Sequence, residues 1–339
     1  MLTLKNKKKY GVLIKMELKY KTSSVETRGL MSRVILGEDL TDYRGVCESK
    51  VSSFTGHDFV KVLNSGNSAI LFAMSNLPEN VIVPDQGGWR GFKQAARLLG
   101  KNLVFVDSDD GLIDLDSLVC VNPGSASLFL TSFAGYTAEQ DIKSISGVCR
   151  DEGIVLVEDV SGSIGDSSNC LCNGSYSDVI VCSTGSPKMV NVGMGGFVST
   201  GDSVFFENSH FLSRSLKGDN VVCAGIYSEL DFARDVLSVT LDATAYLKGV
   251  IDDLTDGGVF HRDSRGVNVI FSCDSPKSVA RDLRGVLSVE GRSVFSVCPS
   301  YDRLKSKGVC LELKNISHTS LFRDNLDEIV ECLKLVVYK

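Results

Sequence analysis

The chain has 339 residues, of which 43% are hydrophobic, and its formal net charge is −6. This length suits one large α/β domain, alone or with a smaller second domain. No apolar run reaches the ~20 residues that cross a bilayer, and an acidic chain lacks the basic face that nucleic-acid and membrane-surface binding require, so we expect neither as a partner.

Residues 1–33 are predicted to be a basic tail and lead-in segment without a function of their own. The stretch "MLTLKNKKKYGVLIKMELKY" has a lysine cluster before Met16, but it lacks the apolar run and the small-residue cleavage site of a secretory signal. A true start at Met16 is the alternative. The eleven cysteines are scattered and form no CxxC pair. Together these features predict a cytoplasmic protein with mostly structural thiols.

Short apolar strands alternate with helical stretches between residues 59 and 200. Continuous apolar strands separated by helices predict a mainly parallel sheet, here seven-stranded, that is covered by helices on both faces. The predicted strands are "FVKVLN" (59–64), "VIVP" (81–84), "LVFVD" (103–107), "SLFLTSF" (127–133), "IVLVED" (154–159), "DVIVCS" (178–183) and "GGFVST" (195–200).

The last part of the chain has a different pattern. Residues 203–257 are predicted to be mostly helical, and the remainder alternates as strand, helix, strand, strand, helix. That order is typical of a compact α+β unit. The predicted organisation is therefore a large α/β domain over residues 34–240 and a small C-terminal α+β domain over residues 241–339.

In a parallel α/β sheet, ligands bind outside the carboxyl ends of the strands. We therefore expect the residues that directly follow the strands to meet along one edge and to form the functional site. These residues are Ser65 to Asn67, Asp85 to Trp89, Phe133 to Tyr136, Asp159 to Ser163, and Ser183 to Lys188.

Three features at this edge carry chemistry. Ser65, Gly66 and Asn67 stand at a strand-to-helix junction, where free backbone N–H groups and the helix dipole favour a phosphate, although Ser and Asn are also ordinary helix caps. Asp159 ends a central strand and is either a cap or salt-bridged carboxylate, or the partner of a cationic ring nitrogen. Lys188 is either a surface lysine or a buried amine whose pKa burial would lower, which would allow it to form an imine.

Other candidate sites are weaker. The acidic stretch "VDSDDGLID" (106–114) lacks the spacing of a calcium loop, and the histidines share no metal-ligand spacing, so no metal site is predicted. The histidines are His57, His210, His261 and His318. None follows a predicted strand at the functional edge, which also argues against a histidine-based triad.

A phosphate cradle, a carboxylate at a strand end and a lysine about thirty residues later fit one cofactor. Pyridoxal 5'-phosphate (PLP) requires an anion site, a carboxylate for its ring nitrogen and a lysine for its Schiff base. Each element is weak alone. Their order along the chain favours PLP.

The sequence resembles the fold-type I PLP enzymes, and most closely the DegT/StrS-type sugar aminotransferase family. The resemblance extends from about residue 34 to residue 200 and is carried by "LNSGNSAI" (63–70), "VIVPDQGGWRGFKQAARLLGKNLVFVDSD" (81–109), "LVEDVSGSIGD" (156–166) and "GSYSDVIVCSTGSPKMVNVGMGGFVST" (174–200). The interval from the lysine to the GxGG turn equals that of the family pattern, which makes it the most specific match.

The resemblance implies a role for each matching position. Lys188 corresponds to the lysine that forms the internal aldimine, and Asp159 to the partner of the ring nitrogen. Ser183, Ser65 and the backbone of Gly66 and Asn67 correspond to the phosphate site. Trp89, or else Phe92, corresponds to the aromatic side chain over the cofactor ring. The resemblance also implies a homodimer with its active site at the subunit interface, and a small-molecule amino donor and acceptor as substrates.

The sequence departs from the family pattern where substrate contacts are expected. The family's Gln three residues after the aspartate is Gly162, the Glu of its GEGG turn is Met194, and its "TF" pair is replaced around Gly87 to Trp89. We therefore expect an aminotransferase of unknown substrate. The alternatives are a PLP-dependent lyase, decarboxylase or sulfur/selenium transferase, and a catalytically degenerate protein of the same fold that acts by binding.

Overall fold

The computed structural model describes residues 17–121, 123–207, 209–300 and 303–337. The basic part of the predicted tail, residues 1–16, lies outside the described residues. The strands are β1 (Phe59–Leu63), β2 (Asn80–Pro84), β3 (Asn102–Val106), β4 (Ser108–Asp109), β5 (Leu112–Ile113), β6 (Ala126–Thr131), β7 (Phe133–Ala134), β8 (Ala138–Glu139), β9 (Ile154–Asp159), β10 (Val179–Ser183), β11 (Gly196–Thr200), β12 (Val269–Ser272), β13 (Phe295–Cys298) and β14 (Gly308–Leu311).

Helices connect these strands and cover the sheets. They are α1 (Val25–Leu36), α2 (Tyr43–Thr55), α3 (Gly66–Ser75), α4 (Arg90–Leu98), α5 (Leu115–Cys120), α6 (Ile142–Asp151), α7 (His210–Ser215), α8 (Asn220–Glu229), α9 (Ala233–Leu254), α10 (Pro276–Val286) and α11 (Arg323–Val337). Short 3-10 helices occupy Ser203–Phe206, Leu230–Phe232, Leu313–Asn315 and His318–Ser320.

The large sheet has seven strands in the order β1-β11-β10-β9-β6-β2-β3. All neighbouring pairs from β10 to β3 are parallel, and only β11, which lies between β1 and β10, runs antiparallel to its neighbours. The prediction of a mainly parallel seven-stranded sheet is therefore confirmed. The strands β6 and β9 at its centre are buried on both faces because helices cover both sides.

The two faces of this sheet have separate apolar cores. On one face α3 and α4 pack Phe72 and Phe92 against the strands. On the other face α2, α6 and α8 contribute residues such as Val51, Ile145 and Ile226. Because both faces are covered by helices, a ligand reaches the sheet only along the edges where the strands end.

The C-terminal unit contains an antiparallel sheet in the order β12-β14-β13, with α9, α10 and α11 packed around its core. The α+β pattern read from the sequence is thus present. Helix α9 crosses the predicted boundary at residue 240, since Leu237 belongs to the core of the large sheet and Leu247 to the core of the C-terminal unit. The exact division between the domains stays a prediction.

The C-terminal unit docks against the edge of the large sheet where the parallel strands end. The backbone N–H of Lys305 donates to Oε1 of Gln86 at 2.7 Å. The buried ammonium of Lys248 in α9 donates to the carbonyl oxygens of Thr137, His261 and Ser264 at 2.6, 2.6 and 2.7 Å. These contacts bring the segment around residues 303–314 next to the predicted functional edge.

Candidate cofactor and substrate site

Asp159 ends β9 and is 5% exposed. Its Oδ1 accepts hydrogen bonds from the backbone N–H of Ser161, at 3.0 Å, and from the Ser161 hydroxyl. No hydrogen-bond partner of Oδ2 lies within the described ranges of the chain. Burial raises the pKa of Asp159, and Lys188 and Ser161 oppose that rise. The site thus holds a buried carboxylate whose second oxygen is available to a cationic group of a ligand.

Ser161 connects Asp159 to the next strand. Its hydroxyl oxygen accepts a hydrogen bond from the backbone N–H of Ser183 at 2.8 Å, and its O–H donates to Asp159. This residue fixes the carboxylate relative to the end of β10. Sequence reasoning assigned it no role.

The start of helix α3 forms the proposed phosphate cradle. The hydroxyl oxygen of Ser65 accepts from the backbone N–H of Ser68 at 3.1 Å and caps the helix. A Cβ at Gly66 would lie 2.3 Å from Cβ of Ser183, so only glycine allows the helix end to approach this strand. The free N–H groups of the first turn and the two serine hydroxyls provide the donors and the positive dipole end that bind a phosphate.

Lys188 lies between β10 and β11 and is partly buried. Its Nζ donates a hydrogen bond to the hydroxyl oxygen of Tyr136 at 2.7 Å, and it lies 5.8 Å from the centroid of the Trp89 ring. Burial lowers the pKa of Lys188, but Tyr136 and Asp159 together outweigh burial and hold the pKa above its ordinary value. The prediction of a lowered pKa is therefore wrong, because it ignored the groups that contact the amine.

The structure separates the two aromatic candidates. Trp89 lines the cavity that contains Lys188, and its indole N–H donates to Oδ1 of Asn67 at 3.2 Å. Phe92 is 1% exposed and packs on Phe129 with ring centroids 5.7 Å apart. Trp89 is thus in the position to cover a cofactor ring, and Phe92 belongs to the core.

All the site residues predicted from the sequence line a single cavity of about 310 Å³. An adjoining cavity of about 240 Å³ shares Trp89, Tyr136 and Arg303 with it. The predicted residues brought together in the first cavity are Ser65, Gly66, Asn67, Trp89, Asp159, Ser183 and Lys188.

The donor set fits a phosphorylated pyridine cofactor. A helix N-terminus with two hydroxyls lies at one part of the cavity wall, the carboxylate of the buried Asp159 lies at another, and a primary amine lies near two aromatic rings. A phosphate, a pyridine nitrogen and an aldehyde carbon require these three groups. The adjoining cavity leaves room for a substrate.

Several residues that line the cofactor cavity were not assigned a role from the sequence. Among them are Tyr136, Arg303 and Lys314. Tyr136 belongs to the set of residues that follow strands, so its position was a usable signal. Arg303 and Lys314 come from the C-terminal unit, which has no motif that places them near Lys188.

Arg303 and Lys314 share one carboxylate. Nη1 of Arg303 lies 3.1 Å from Oε1 of Glu312, and Nζ of Lys314 lies 3.4 Å from Oε2. Burial lowers the pKa of Lys314 to about 8, and Glu312 opposes this while Lys188 adds to it. This wall of the cavity therefore carries two cationic side chains that share the Glu312 carboxylate.

The comparison with protein families agrees with this geometry. Residues 34–218, more than half of the chain, match the DegT/DnrJ/EryC1/StrS aminotransferase family. The chain belongs to this family. Residues 234–334 match a second family model, the MJ1341 family C-terminal domain. The aminotransferase match thus ends before the unit that supplies Arg303, Glu312 and Lys314.

One curated relative shares part of the chain. A dTDP-4-dehydro-2,3,6-trideoxy-D-glucose 4-aminotransferase of Saccharopolyspora spinosa is 26% identical over 153 residues, which are 42% of this chain and 38% of that protein. The match therefore spans well under half of the relative's length.

Solved structures of similar fold cover nearly the whole chain. PseC of Helicobacter pylori, an aminotransferase of pseudoaminic acid biosynthesis, has a TM-score of 0.75 at 14% identity and covers 95% of this chain and 100% of its own. An Escherichia coli GDP-4-keto-6-deoxy-D-mannose-3-dehydratase with bound hydrated PLP has a TM-score of 0.74 at 17% identity, with 95% and 100% covered. NtdA of Bacillus subtilis with bound pyridoxamine phosphate has a TM-score of 0.72 at 14% identity, with 98% and 89% covered.

At these identities the structural likeness establishes the fold, and the family match establishes the class. The predictions of a fold-type I enzyme, of an aminotransferase-like transferase and of PLP as cofactor are therefore confirmed. The role of each site residue stays a prediction. Within the described residues, none of the helices is both long and apolar enough to span a membrane.

Proposed function

We propose that this DegT-family enzyme is an aminotransferase that moves an amino group between a small-molecule donor and a small carbonyl acceptor. The observation that carries the proposal is the convergence of Lys188, Asp159 and the α3 phosphate cradle on one cavity. When bound, PLP supplies an aldehyde carbon for the amino group and a ring that accepts electrons. The chain's own residues supply position, charge and proton transfer.

Each of these residues has a distinct task. Ser65, Ser183 and the first N–H groups of α3 hold the phosphate. The carboxylate of Asp159 would pair with the ring nitrogen of bound PLP and favour its protonated form. Lys188 would hold the cofactor. Its Nζ would carry out the 1,3-proton shift, as a general base that takes the proton from the substrate carbon and as a general acid that returns it to the carbon on the other side of the amino nitrogen. Trp89 covers the site and excludes water.

We further propose that the substrates are anionic. Arg303 lines both cavities, and Lys314 lines the cofactor cavity. These two cationic side chains are groups with which a carboxylate or phosphate of a substrate would pair. Sequence reasoning could assign no such arginine.

The cysteine in the cofactor cavity argues against a sulfur or selenium transferase that uses it as the nucleophile. Cys182 lines the cofactor cavity, but burial and the nearby Asp159 raise its pKa well above the ordinary value. The thiolate is the reactive form of cysteine. A buried thiol beside a carboxylate is therefore a poor nucleophile. All eleven cysteines are free, and on this basis we infer a cytoplasmic location.

We also propose a homodimer. Leu40 and Met194 are 88% and 52% exposed. Each is next in the chain to a residue that contacts the start of α8. The carbonyl oxygen of Thr41 accepts a hydrogen bond from Asn220, and Gly195 packs on Val222. A second copy that covers these side chains would remove them from water. Sedimentation should show a dimer that Met194→Glu weakens, while Phe322→Glu on the C-terminal unit leaves it intact; a wild-type monomer contradicts the proposal.

The experiment for the main proposal uses the full chain saturated with PLP. We expect a visible absorbance band that borohydride abolishes, with the reduced cofactor on the Lys188 peptide, and conversion to the amine form by an amino donor such as glutamate. Lys188→Ala should lose the band, whereas Lys143→Ala, at an exposed lysine of α6, should keep it.

Other outcomes overturn the proposal in different ways. A missing band, or a band that survives in Lys188→Ala, excludes Lys188 as the cofactor lysine. Release of sulfide, alanine or a decarboxylated amine would assign a lyase, decarboxylase or sulfur-transfer activity. PLP binding without turnover on a panel of donors would assign a binding role.

A further inference from the structure

Tyr136 has an unusual backbone conformation at the functional edge. Its φ is 64°, in the left-handed region that bulky residues rarely adopt. The turn between β7 and β8 is held by the C-terminal unit, because the carbonyl oxygen of Tyr136 accepts hydrogen bonds from the backbone N–H groups of Val267 and Asn268, both at 2.9 Å. A strained residue persists only where its surroundings hold it, and such residues cluster at functional sites.

The side chain of Tyr136 stands between the two cavities. Its hydroxyl oxygen is 2.7 Å from Nζ of Lys188, and the Nζ atoms of Lys188 and Lys314 each lie 5.2 Å from its ring centroid. It lines both the cofactor cavity and the adjoining one. A substrate that reaches Lys188 from the adjoining cavity therefore passes this hydroxyl.

Gly162 leaves the space that the Tyr136 ring occupies. A Cβ at position 162 would lie 2.8 Å from Cε1 and 3.0 Å from Cδ1 of that ring, which is closer than packed carbon atoms tolerate. This is the position three residues after Asp159, where the family pattern has Gln. Glycine in place of the family's Gln thus leaves room for the Tyr136 ring to lie beside Lys188.

We propose that Tyr136 is a catalytic residue of this chain, held against Lys188 by the space that Gly162 leaves open. Its hydroxyl accepts a hydrogen bond when the lysine nitrogen is protonated and donates one when the nitrogen is neutral, because a hydroxyl carries both a donor and acceptor lone pairs. It therefore orients Nζ while protons move between Lys188 and the substrate. The inference rests on the proposed function.

The first test is Tyr136→Phe in the cofactor-loaded full chain, since phenylalanine keeps the ring and removes only the hydroxyl. The midpoint of the pH titration of the visible absorbance should move to lower pH by about one unit, because the hydrogen bond to the protonated nitrogen of Lys188 is charge-assisted and its loss destabilises the protonated form more than the neutral one. The rate of amino transfer should fall on the order of 10- to 100-fold. An unchanged midpoint and an unchanged rate would overturn the proposal.

The second test addresses the packing. Gly162→Ala should displace the ring, shift the absorbance midpoint as Tyr136→Phe does, and lower Tm on the order of 5 °C. Both effects of Gly162→Ala should vanish when it is added to Tyr136→Gln and compared with Tyr136→Gln alone, because glutamine has no ring. Gly147→Ala on α6, where a Cβ meets nothing within 4 Å, is the matched control; it should leave the midpoint unchanged and should not lower Tm, because alanine favours a helix interior over glycine. Equal losses from Gly162→Ala in the wild type and in the Tyr136→Gln variant would overturn the coupling.

These readouts separate this inference from the proposed function. If the wild type binds PLP on Lys188 but transfers no amino group, the aminotransferase proposal fails while the midpoint and Tm measurements still decide the contact. If amino transfer occurs and Tyr136→Phe leaves both the rate and the midpoint unchanged, the aminotransferase proposal stands and the role of Tyr136 is refuted.

Discussion

Glu312 provides a stability test of the cationic wall of the site. Burial opposes its ionisation, but Arg303 and Lys314 outweigh burial and hold its pKa at about 2, below its ordinary value of 4.5. Its side chain is 13% exposed, so water screens these contacts little. Glu312→Gln removes the carboxylate that pairs with both Arg303 and Lys314.

The expected magnitude follows from this pKa difference. A carboxyl group that titrates near 2 in the folded chain and near 4.5 in the unfolded chain stabilises the folded state by about 3 kcal/mol. Because folding lowers this acid's pKa, its contribution to stability is fully present above the unfolded pKa and is lost as the pH falls from 4.5 toward 2. Removing the charge also leaves two cations facing each other, which adds to the cost.

The measurement is urea unfolding of wild type and Glu312→Gln at pH 7 and again near pH 3. The variant should lose about 3 kcal/mol of unfolding free energy at pH 7, and the difference should shrink at the lower pH. Glu331→Gln is the control, because Glu331 pairs with Lys334 at 2.7 Å on the surface, with 64% of its side chain exposed, and such pairs contribute little. The reasoning is refuted if the two variants lose equal stability, or if the Glu312 difference does not depend on pH.

Two further predictions concern the domain contact and the phosphate cradle. Lys248→Met should lower the unfolding free energy by about 3–5 kcal/mol, because three buried carbonyl oxygens lose their donor. Lys143→Met, at an exposed position, should lower it far less in the same urea experiment. Equal losses would contradict the argument. Gly66→Ala should raise the Kd for PLP tenfold or more, on the order of the loss of one charged hydrogen bond, because its Cβ would meet Ser183 at 2.3 Å. Gly147→Ala should leave the PLP titration unchanged. A normal Kd for Gly66→Ala would falsify the proposal that the start of α3 holds the phosphate.

The sequence predicts the large sheet well because each strand is a local apolar run bounded by a helix. It also predicts the edge that carries the site, since the ends of parallel strands meet there. Asp159 and Ser183 line one cavity, as expected from their places at the ends of two neighbouring strands. The positions of these residues at the strand ends therefore indicate that they lie together in the fold.

The contribution of the C-terminal unit could not be predicted in this way. Arg303 and Lys314 reach the cavity only after that unit docks on the sheet edge, through contacts such as the one between Lys305 and Gln86. These contacts join positions more than two hundred residues apart. No local pattern marks them. The raised pKa of Lys188 was missed for the same reason, since the Tyr136 hydroxyl beside it depends on the strained turn that the C-terminal unit holds.

Met194 shows how the two kinds of information combine. The sequence marks it as a departure from the family's GEGG turn, where a substrate contact was expected. In the structure its backbone carbonyl oxygen accepts a hydrogen bond from the Thr184 hydroxyl at 2.7 Å. A Cβ at Gly195 would lie 2.6 Å from Val222 and 2.8 Å from Thr184. The turn is therefore held by main-chain contacts and by its glycines. The Met194 side chain is 52% exposed and is absent from the described lining of both cavities. The glycines of this turn therefore serve the fold, whereas the residue between them faces outward. A change from an acid to an apolar side chain there alters the surface at the start of α8, which is where we place the second subunit.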